Sequence, residues 1–213
     1  MRLTVTEIIG KLKTVDVLSF ATLGADGAPK VRCISAIHYE NNALYVFTAR
    51  GKHFAHELQA DPRVEILGYV ESAKEMIRIS AKARTCNEEE TSHYIYEIFT
   101  EQPYMANVYP GDTRNIGIIF EIKNYEVEYF HLGERPIYRE SHTSGDCDRI
   151  TPKGYRITDD CIGCGTCVDN CPQHCIEEGS PFVIHEHNCL HCGNCYENCP
   201  VGAIAPIRNS QLF

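Results

Sequence analysis

The fold of the last third of this chain is decided by two stretches of sequence, CIGCGTCVDNCP at residues 161–172 and CLHCGNCYENCP at residues 189–200. In each stretch three cysteines are separated by two residues, and a fourth cysteine precedes a proline. This spacing is typical of loops that bind iron–sulfur clusters, in which the fourth cysteine of each run ligates the other cluster. The spacing therefore predicts a chain that moves single electrons, with two ligand sets. They are Cys161, Cys164, Cys167 and Cys199 for the first cluster, and Cys189, Cys192, Cys195 and Cys171 for the second.

Disulfides and zinc are the alternatives for so many cysteines. Disulfides need an oxidising compartment, and the sequence beginning at Met1 does not resemble a secretory signal, so we expect a cytoplasmic protein with reduced thiols. Zinc sites usually take two cysteine pairs that are separated by a longer loop. Three closely spaced cysteines followed by Cys-Pro, present twice, favour iron–sulfur clusters.

The two stretches belong to an internal repeat. A segment shorter than about 40 residues rarely builds a core of its own, so two clusters between two halves would serve as the core. Cys175 aligns with Ala203 in the repeat, which predicts a small buried residue and not a ninth ligand. Residues 157–206 resemble the bacterial two-cluster ferredoxins, and this resemblance implies two 4Fe–4S clusters and a small ferredoxin-like α+β domain.

Composition limits the remaining possibilities. The chain has 213 residues, 43% of them hydrophobic, and a formal net charge of -9. This charge argues against a nucleic-acid partner, and no apolar run approaches the length of a membrane span. An acidic cysteine-rich segment suits a basic redox partner. Because the cysteines concentrate towards the end of the chain, we predict one domain at 1–138, a linker at 139–156 and an iron–sulfur domain at 157–213.

The first domain has an α+β pattern. We predict a small barrel or sandwich of short strands, with an irregular polar join over 133–154. Cys33 and Cys86 are expected to pack, and Cys147 is expected to be an ordinary linker residue. The expected helices lie at 6–14, 53–60 and 88–100, and the expected strands at 17–23, 31–39, 44–47, 64–70, 76–83, 117–122 and 127–131.

A possible anion site follows the strand at 44–47. Thr48 and Lys52 lie where this strand ends and a helix begins, and Arg32 lies on a preceding strand. Helix N-termini favour anions, so these three residues could bind a phosphate. They could equally be solvated residues at a strand end, and the pattern alone does not decide between the two.

The same region resembles the pyridoxamine 5′-phosphate oxidase-like family, whose members bind FMN in a split β-barrel. The resemblance rests on LYVFT at 44–48, Lys52, ELQADPRVE at 57–65 and IRISAKA at 77–83, with Asp61 where asparagine is usual. It implies that Arg32 and Lys52 hold the FMN phosphate and that Thr48 contacts the phosphate or ribityl chain. It also implies that the backbone at Ile34 and Ser35 borders the isoalloxazine, and that a homodimer holds FMN at its interface.

The resemblance does not extend to vitamin B6 oxidation, because the Arg-Leu-His-x-Arg-like stretch that contacts the vitamin phosphate is missing. A flavin can link one-electron clusters to two-electron substrates. We therefore predict an FMN-dependent oxidoreductase that relays electrons between two clusters and FMN, to or from a small-molecule oxidant or a redox partner protein. A non-catalytic electron carrier or redox sensor is the alternative. The histidines show no diagnostic spacing, so catalytic residues are not assigned.

Overall fold

A computed structural model describes residues 2–207 and divides them into two units. The first unit contains residues 2–70, 76–128 and 142–149, and the second contains residues 71–75, 129–141 and 150–207. Among residues 2–207, the structure has no helix that combines the length and the apolar character needed to cross a membrane.

Ten strands and four α-helices form between residues 2 and 149. The helices are α1 (Val5–Leu12), α2 (His53–Ala60), α3 (Glu88–Glu101) and α4 (Met105–Val108), and a 3-10 helix spans Gly111–Ile116. The strands are β1 (Leu18–Leu23), β2 (Pro29–Ile34), β3 (Ile37–Glu40), β4 (Ala43–Ala49), β5 (Arg63–Val70), β6 (Glu75–Lys82), β7 (Arg84–Thr85), β8 (Gly117–Ile122), β9 (Tyr125–His131) and β10 (Tyr138–Ser144).

The strands form two sheets. One sheet has the order β10-β9-β6-β5-β1-β2, and the other has the order β3-β4-β8-β7. Buried and more accessible residues alternate along β1 and along β5, as expected for strands with one face on a core. β4 is buried along its whole length, which places it centrally in its sheet. The core between these elements includes Phe20, Ile66, Ile79 and Phe120.

The predicted strand at 31–39 is in fact two strands in different sheets. β2 pairs antiparallel with β1, whereas β3 pairs antiparallel with β4. The chain leaves one sheet and enters the other at Ser35 and Ala36. The run of apolar residues that predicts a single strand continues across this crossing, so the pattern itself does not reveal it.

The accessible face of β2 continues onto β1 and β5. Val31 pairs with Ala21, which pairs with Glu65, and Cys33 pairs with Ser19, which pairs with Leu67. Val31 is 69% exposed and Leu67 is 38% exposed. We call this row of residues the outward face. The expectation that Cys33 packs is wrong within one chain, because Cys33 is exposed, whereas Cys86 is buried as expected.

The second unit is built from the repeat. The short helices α5 (Thr166–Asp169) and α6 (Asn194–Glu197) occupy corresponding positions in its two halves. Two small antiparallel sheets pair β11 (Tyr155–Ile157) with β14 (Ile204–Pro206), and β12 (Ile176–Glu177) with β13 (Val183–Ile184). The buried cluster of this unit combines cysteines with Ile176, Phe182 and Ile204. The sequence predicts an irregular join over 133–154, but β10 forms within it.

Candidate functional site

The eight motif cysteines line two separate cavities in the second unit. In both cavities a cysteine from the other half of the repeat completes the set, as the spacing predicts. Among residues 2–207 no three such ligands converge on one point as a single metal ion would require, and each sulfur quartet instead surrounds a cavity. The first cavity is lined by Cys161, Cys164, Cys167 and Cys199. The second is lined by Cys171, Cys189, Cys192 and Cys195, together with Cys175.

The backbone around the cavities is shaped by two glycines. Gly165 and Gly193 precede α5 and α6 with φ of 81° and 82°, a left-handed conformation that favours glycine. This turn lets one short loop present three thiols to the same cavity. Two backbone N–H groups also point at sulfurs, with the His191 nitrogen 3.4 Å from Cys189 Sγ and the Ala203 nitrogen 3.2 Å from Cys199 Sγ. Such donors stabilise thiolate ligands.

Cys175 lies beside the second quartet. It is 4% exposed, and its sulfur lies 3.5 Å from that of Cys171. A hydrogen bond from the Cys175 thiol lowers the pKa of Cys189 to about 6, and Arg139 acts in the same direction. Burial raises the pKa of Cys195 to about 11. The predicted burial of Cys175 is observed, but its contact with two ligand positions was not predicted.

These features fit iron–sulfur clusters. Each cavity is closed by four sulfurs from two loops, and the thiolate is the form that ligates iron. When bound, the clusters would supply one-electron chemistry at these two places. The protein contributes the sulfur positions, the N–H donors and the apolar surroundings, which together set reduction potentials.

Arg32 lies against helix α2 in the first unit. Its guanidinium contacts Glu57 at 2.7 Å and donates to the Thr22 hydroxyl at 2.8 Å. It also lies 4.9 Å from the ring centroid of Phe54. Burial tends to raise the pKa of Glu57, but hydrogen bonds from Thr22 and Arg32 outweigh it and keep the pKa below its ordinary value. Glu57 therefore fixes the plane of the guanidinium.

Lys52 begins the same helix. It is the N-cap residue of α2 and is exposed, and its Nζ lies 5.9 Å from the ring centroid of Tyr109. Thr48 is buried on β4, where it pairs with Ile118 of β8. Arg32 and Lys52 thus lie on or against the first turns of α2, whose leading N–H groups have no acceptor within the helix. This arrangement fits a phosphate group, which would share Arg32 with Glu57.

Ile34 and Ser35 lie where β2 ends. Ser35 forms a hydrogen bond of 2.7 Å with the Tyr104 hydroxyl and borders an open groove of about 650 Å³ that Tyr39 and Lys13 also line. A second open groove of about 690 Å³ runs past Thr22, Arg63 and Lys82. The structure thus places the predicted phosphate residues around α2 and the predicted ring-contacting residues at a separate groove.

Three residues near the sites were not predicted from the sequence. Glu57 pairs with Arg32 across 25 positions of the chain, Cys175 lies in the second cavity, and Arg139 contacts the loop that contains Cys189. The difference between Cys175 and the aligned Ala203 was a usable signal for Cys175, because the two halves of the repeat carry different residues there. The other two contacts depend on long-range packing, which a pattern in one sequence does not encode.

Comparison with known proteins identifies both segments. The family model of pyridoxamine 5′-phosphate oxidase matches residues 6–122, and that of the 4Fe-4S dicluster domain matches residues 160–203. A ferredoxin from Butyribacterium methylotrophicum is 56% identical over 32 residues, which are 15% of this chain and 58% of the ferredoxin. The chain therefore matches a little over half the length of that relative.

Solved structures resemble the chain in fold. A NimC/NimA family protein from Clostridium acetobutylicum superposes with a TM-score of 0.54 at 18% identity, covering 65% of this chain and 91% of that one. A pyridoxamine 5′-phosphate oxidase-related, FMN binding protein from Nostoc punctiforme gives a TM-score of 0.54 at 16% identity, covering 71% of this chain and 100% of that one. These likenesses confirm the predicted α+β split barrel.

Proposed function

Because the chain belongs to the pyridoxamine 5′-phosphate oxidase family and carries a 4Fe-4S dicluster domain, we propose that it is an iron–sulfur flavoprotein oxidoreductase. In this proposal two 4Fe–4S clusters and one FMN belong to the same electron path. The observation that carries the proposal is the crossed arrangement of two sulfur quartets in one chain with a flavin-type fold.

The preferred direction of electron flow is towards FMN. Ferredoxin-type clusters have reduction potentials near about -400 mV, low enough to reduce a flavin. The final acceptor would be a small organic oxidant, and the donor a redox protein that docks on the acidic chain. The proposed location is the cytoplasm, where thiols stay reduced.

The proposed FMN site takes its phosphate at α2 and its ring near Ser35. Arg32 and Lys52 supply the positive charge, and Thr48 lies on the strand that leads to them. In a homodimer, the second chain would supply the remaining side of this FMN site. What supports a dimer is the outward face, where Val31 and Leu67 are exposed in the single chain. Exposed apolar surface of this kind is typical of interaction sites.

The test is anaerobic purification followed by reduction with dithionite and reoxidation by candidate oxidants. The proposal expects a broad cluster band together with a flavin band, both bleached on reduction, and fast recovery with one class of oxidant. Clusters without flavin would favour the non-catalytic carrier or sensor. Clusters and flavin that recover slowly with every oxidant would also favour that alternative.

A variant pair tests the FMN site itself. R32A/K52A should lose most of its flavin, because both cations of the phosphate site are gone, while iron stays near about eight per chain. R2A/K11A serves as the control, since it removes an arginine and a lysine of the same unit away from α2. Unchanged flavin occupancy in R32A/K52A would refute the site.

A further inference from the structure

The two halves of the repeat differ in charge where their first ligands lie. Before Cys161 the chain has Asp159 and Asp160, whereas the corresponding positions before Cys189 are His187 and Asn188. The Asp160 carboxylate also accepts a hydrogen bond of 3.3 Å from the Thr158 hydroxyl, which keeps it beside the first loop. The first site therefore has nearby carboxylates that the second lacks at these positions.

The second site has a fixed positive charge in addition. Arg139 Nη1 lies 3.4 Å from the Cys189 carbonyl oxygen and 2.9 Å from Nδ1 of His191. His191 stands where the first half has Gly163, so the first half has no side chain at the equivalent position. The guanidinium also lies 5.3 Å from the ring centroid of Phe130, which holds its plane.

The segment around Arg139 is anchored to both halves of the repeat. The Ile137 N–H donates to the side chain of Gln173, and Asn188 donates to the Ile137 carbonyl at 2.8 Å. His187 lies 2.9 Å from the Arg139 carbonyl, and its ring stacks on Tyr138. These contacts fix the backbone on both sides of Arg139, so its charge has a defined place beside the ligand loop.

We propose that Arg139 is a positioning residue for the second cluster that raises its reduction potential above that of the first. Reduction adds one negative charge to a cluster, and a nearby cation stabilises the more negative form. Glu186 places a negative charge on the segment before Cys189, but Arg139 contacts the ligand loop directly at the Cys189 carbonyl oxygen. The carboxylates beside the first site lower its potential and widen the difference.

Because of this asymmetry, the first electron should reduce the second cluster. The asymmetry rests on the two clusters of the proposed function but not on the flavin or on any substrate. A charged group within a few ångströms of a site typically changes the equilibrium constant between two charge states of that site by a factor of ten or more. We therefore expect Arg139 to contribute about tenfold to the ratio of the two one-electron equilibria, which corresponds to about 59 mV.

The experiment is an anaerobic redox titration of the purified chain, followed by electron paramagnetic resonance. In R139Q the higher of the two midpoint potentials should fall by about 59 mV and the lower should stay, which lowers the ratio of the two one-electron equilibrium constants about tenfold. R139K retains the charge, so the ratio of its two one-electron equilibrium constants should stay within about threefold of the wild-type ratio. R135Q removes an exposed arginine of the same unit and should leave the difference between the two potentials unchanged.

Iron content distinguishes a failure of the proposed function from a failure of the role proposed for Arg139. Wild-type protein without about eight irons per chain would contradict the proposed function itself. Eight irons in R139Q with an unchanged difference between the potentials would overturn the role of Arg139 alone. So would two indistinguishable potentials in the wild type. Loss of iron in R139Q but not in R139K would assign Arg139 a structural role and overturn the proposal as well.

Discussion

At the scale of single residues, the two cavities differ by one sulfur. Cys175 adds a buried thiol to the second cavity, where the first has Ala203 in the equivalent place. The thiol lies against Cys171 and forms a hydrogen bond with Cys189, so it contacts two ligand positions from outside the motif. Hydrogen bonds with Cys189 and Cys171, together with burial, raise the pKa of Cys175.

Cysteine variants test this distinction. C175A should keep about eight irons per chain, because alanine already occupies the equivalent position in the first half. C192A should lose about half of the iron, because it removes a ligand of the second cluster. Iron and acid-labile sulfide analysis on anaerobic protein measures both. Iron loss in C175A equal to that in C192A would make Cys175 a ligand and would contradict our assignment.

At the scale of elements, helix α3 shows how local chemistry supports the first unit. Asn87 caps the helix, and the Glu90 carboxylate accepts a hydrogen bond of 2.8 Å from the Asn87 N–H, which completes a capping box. Arg84 of β7 then bridges Glu90 to Glu121 of β8. Hydrogen bonds from Arg84 and from the Asn87 backbone lower the pKa of Glu90 to about 2.

The pKa of Glu90 gives a pH-dependent prediction. Since the folded state lowers this pKa from 4.5, the carboxylate stabilises the fold above about pH 4.5, and the effect is lost as the pH falls towards 2. E90Q should lower the free energy of unfolding by about 1 kcal/mol at pH 7. E89Q, an exposed neighbour in the same turn, should change it little. Urea denaturation at pH 7 and pH 3 measures both, and a loss of stability in E90Q that does not shrink at pH 3 would disprove the link between this pKa and stability.

Elements with strong local signals were predictable and those fixed by distant partners were not. The helix at 53–60 and the strands after it follow from periodicity and from Asp61-Pro62, and the structure has them with bounds shifted by a residue or two. The split between β2 and β3 and the strand β10 were missed, because sheet pairing decides both. The grouping of the cysteines was predictable because their spacing is typical of two-cluster loops, in which the fourth cysteine of each run belongs to the other site. The contacts of Glu57 and Arg139 with the two sites were not predictable, since both residues reach these sites through long-range contacts.

At the scale of the whole molecule, we propose that a second chain completes the cofactor site. Within one chain the residues proposed to bind the phosphate lie at α2 or on the strand before it, while Ser35 borders a different groove. The outward face exposes Val31 and Cys33 on β2 and Leu67 on β5, on either side of β1. An interface that covers this face would bury apolar surface.

A charge on the outward face tests the dimer. V31E should weaken dimerisation at least about tenfold and lower flavin occupancy, because a buried unpaired carboxylate opposes association. Iron content should stay near that of wild type. V108E places the same charge at an exposed valine of α4 and should leave the mass unchanged. Light scattering coupled to size-exclusion chromatography measures the mass. A V31E protein that stays dimeric with full flavin would rule out this face.

Electron counting tests the central claim most directly. Anaerobic wild-type protein is titrated with dithionite while the cluster band and the flavin band are recorded together with iron and FMN content. Two clusters that accept one electron each and one FMN that accepts two predict about four electrons per chain, with both bands bleached. Uptake of about two electrons with no flavin band, or protein without iron, would contradict the account.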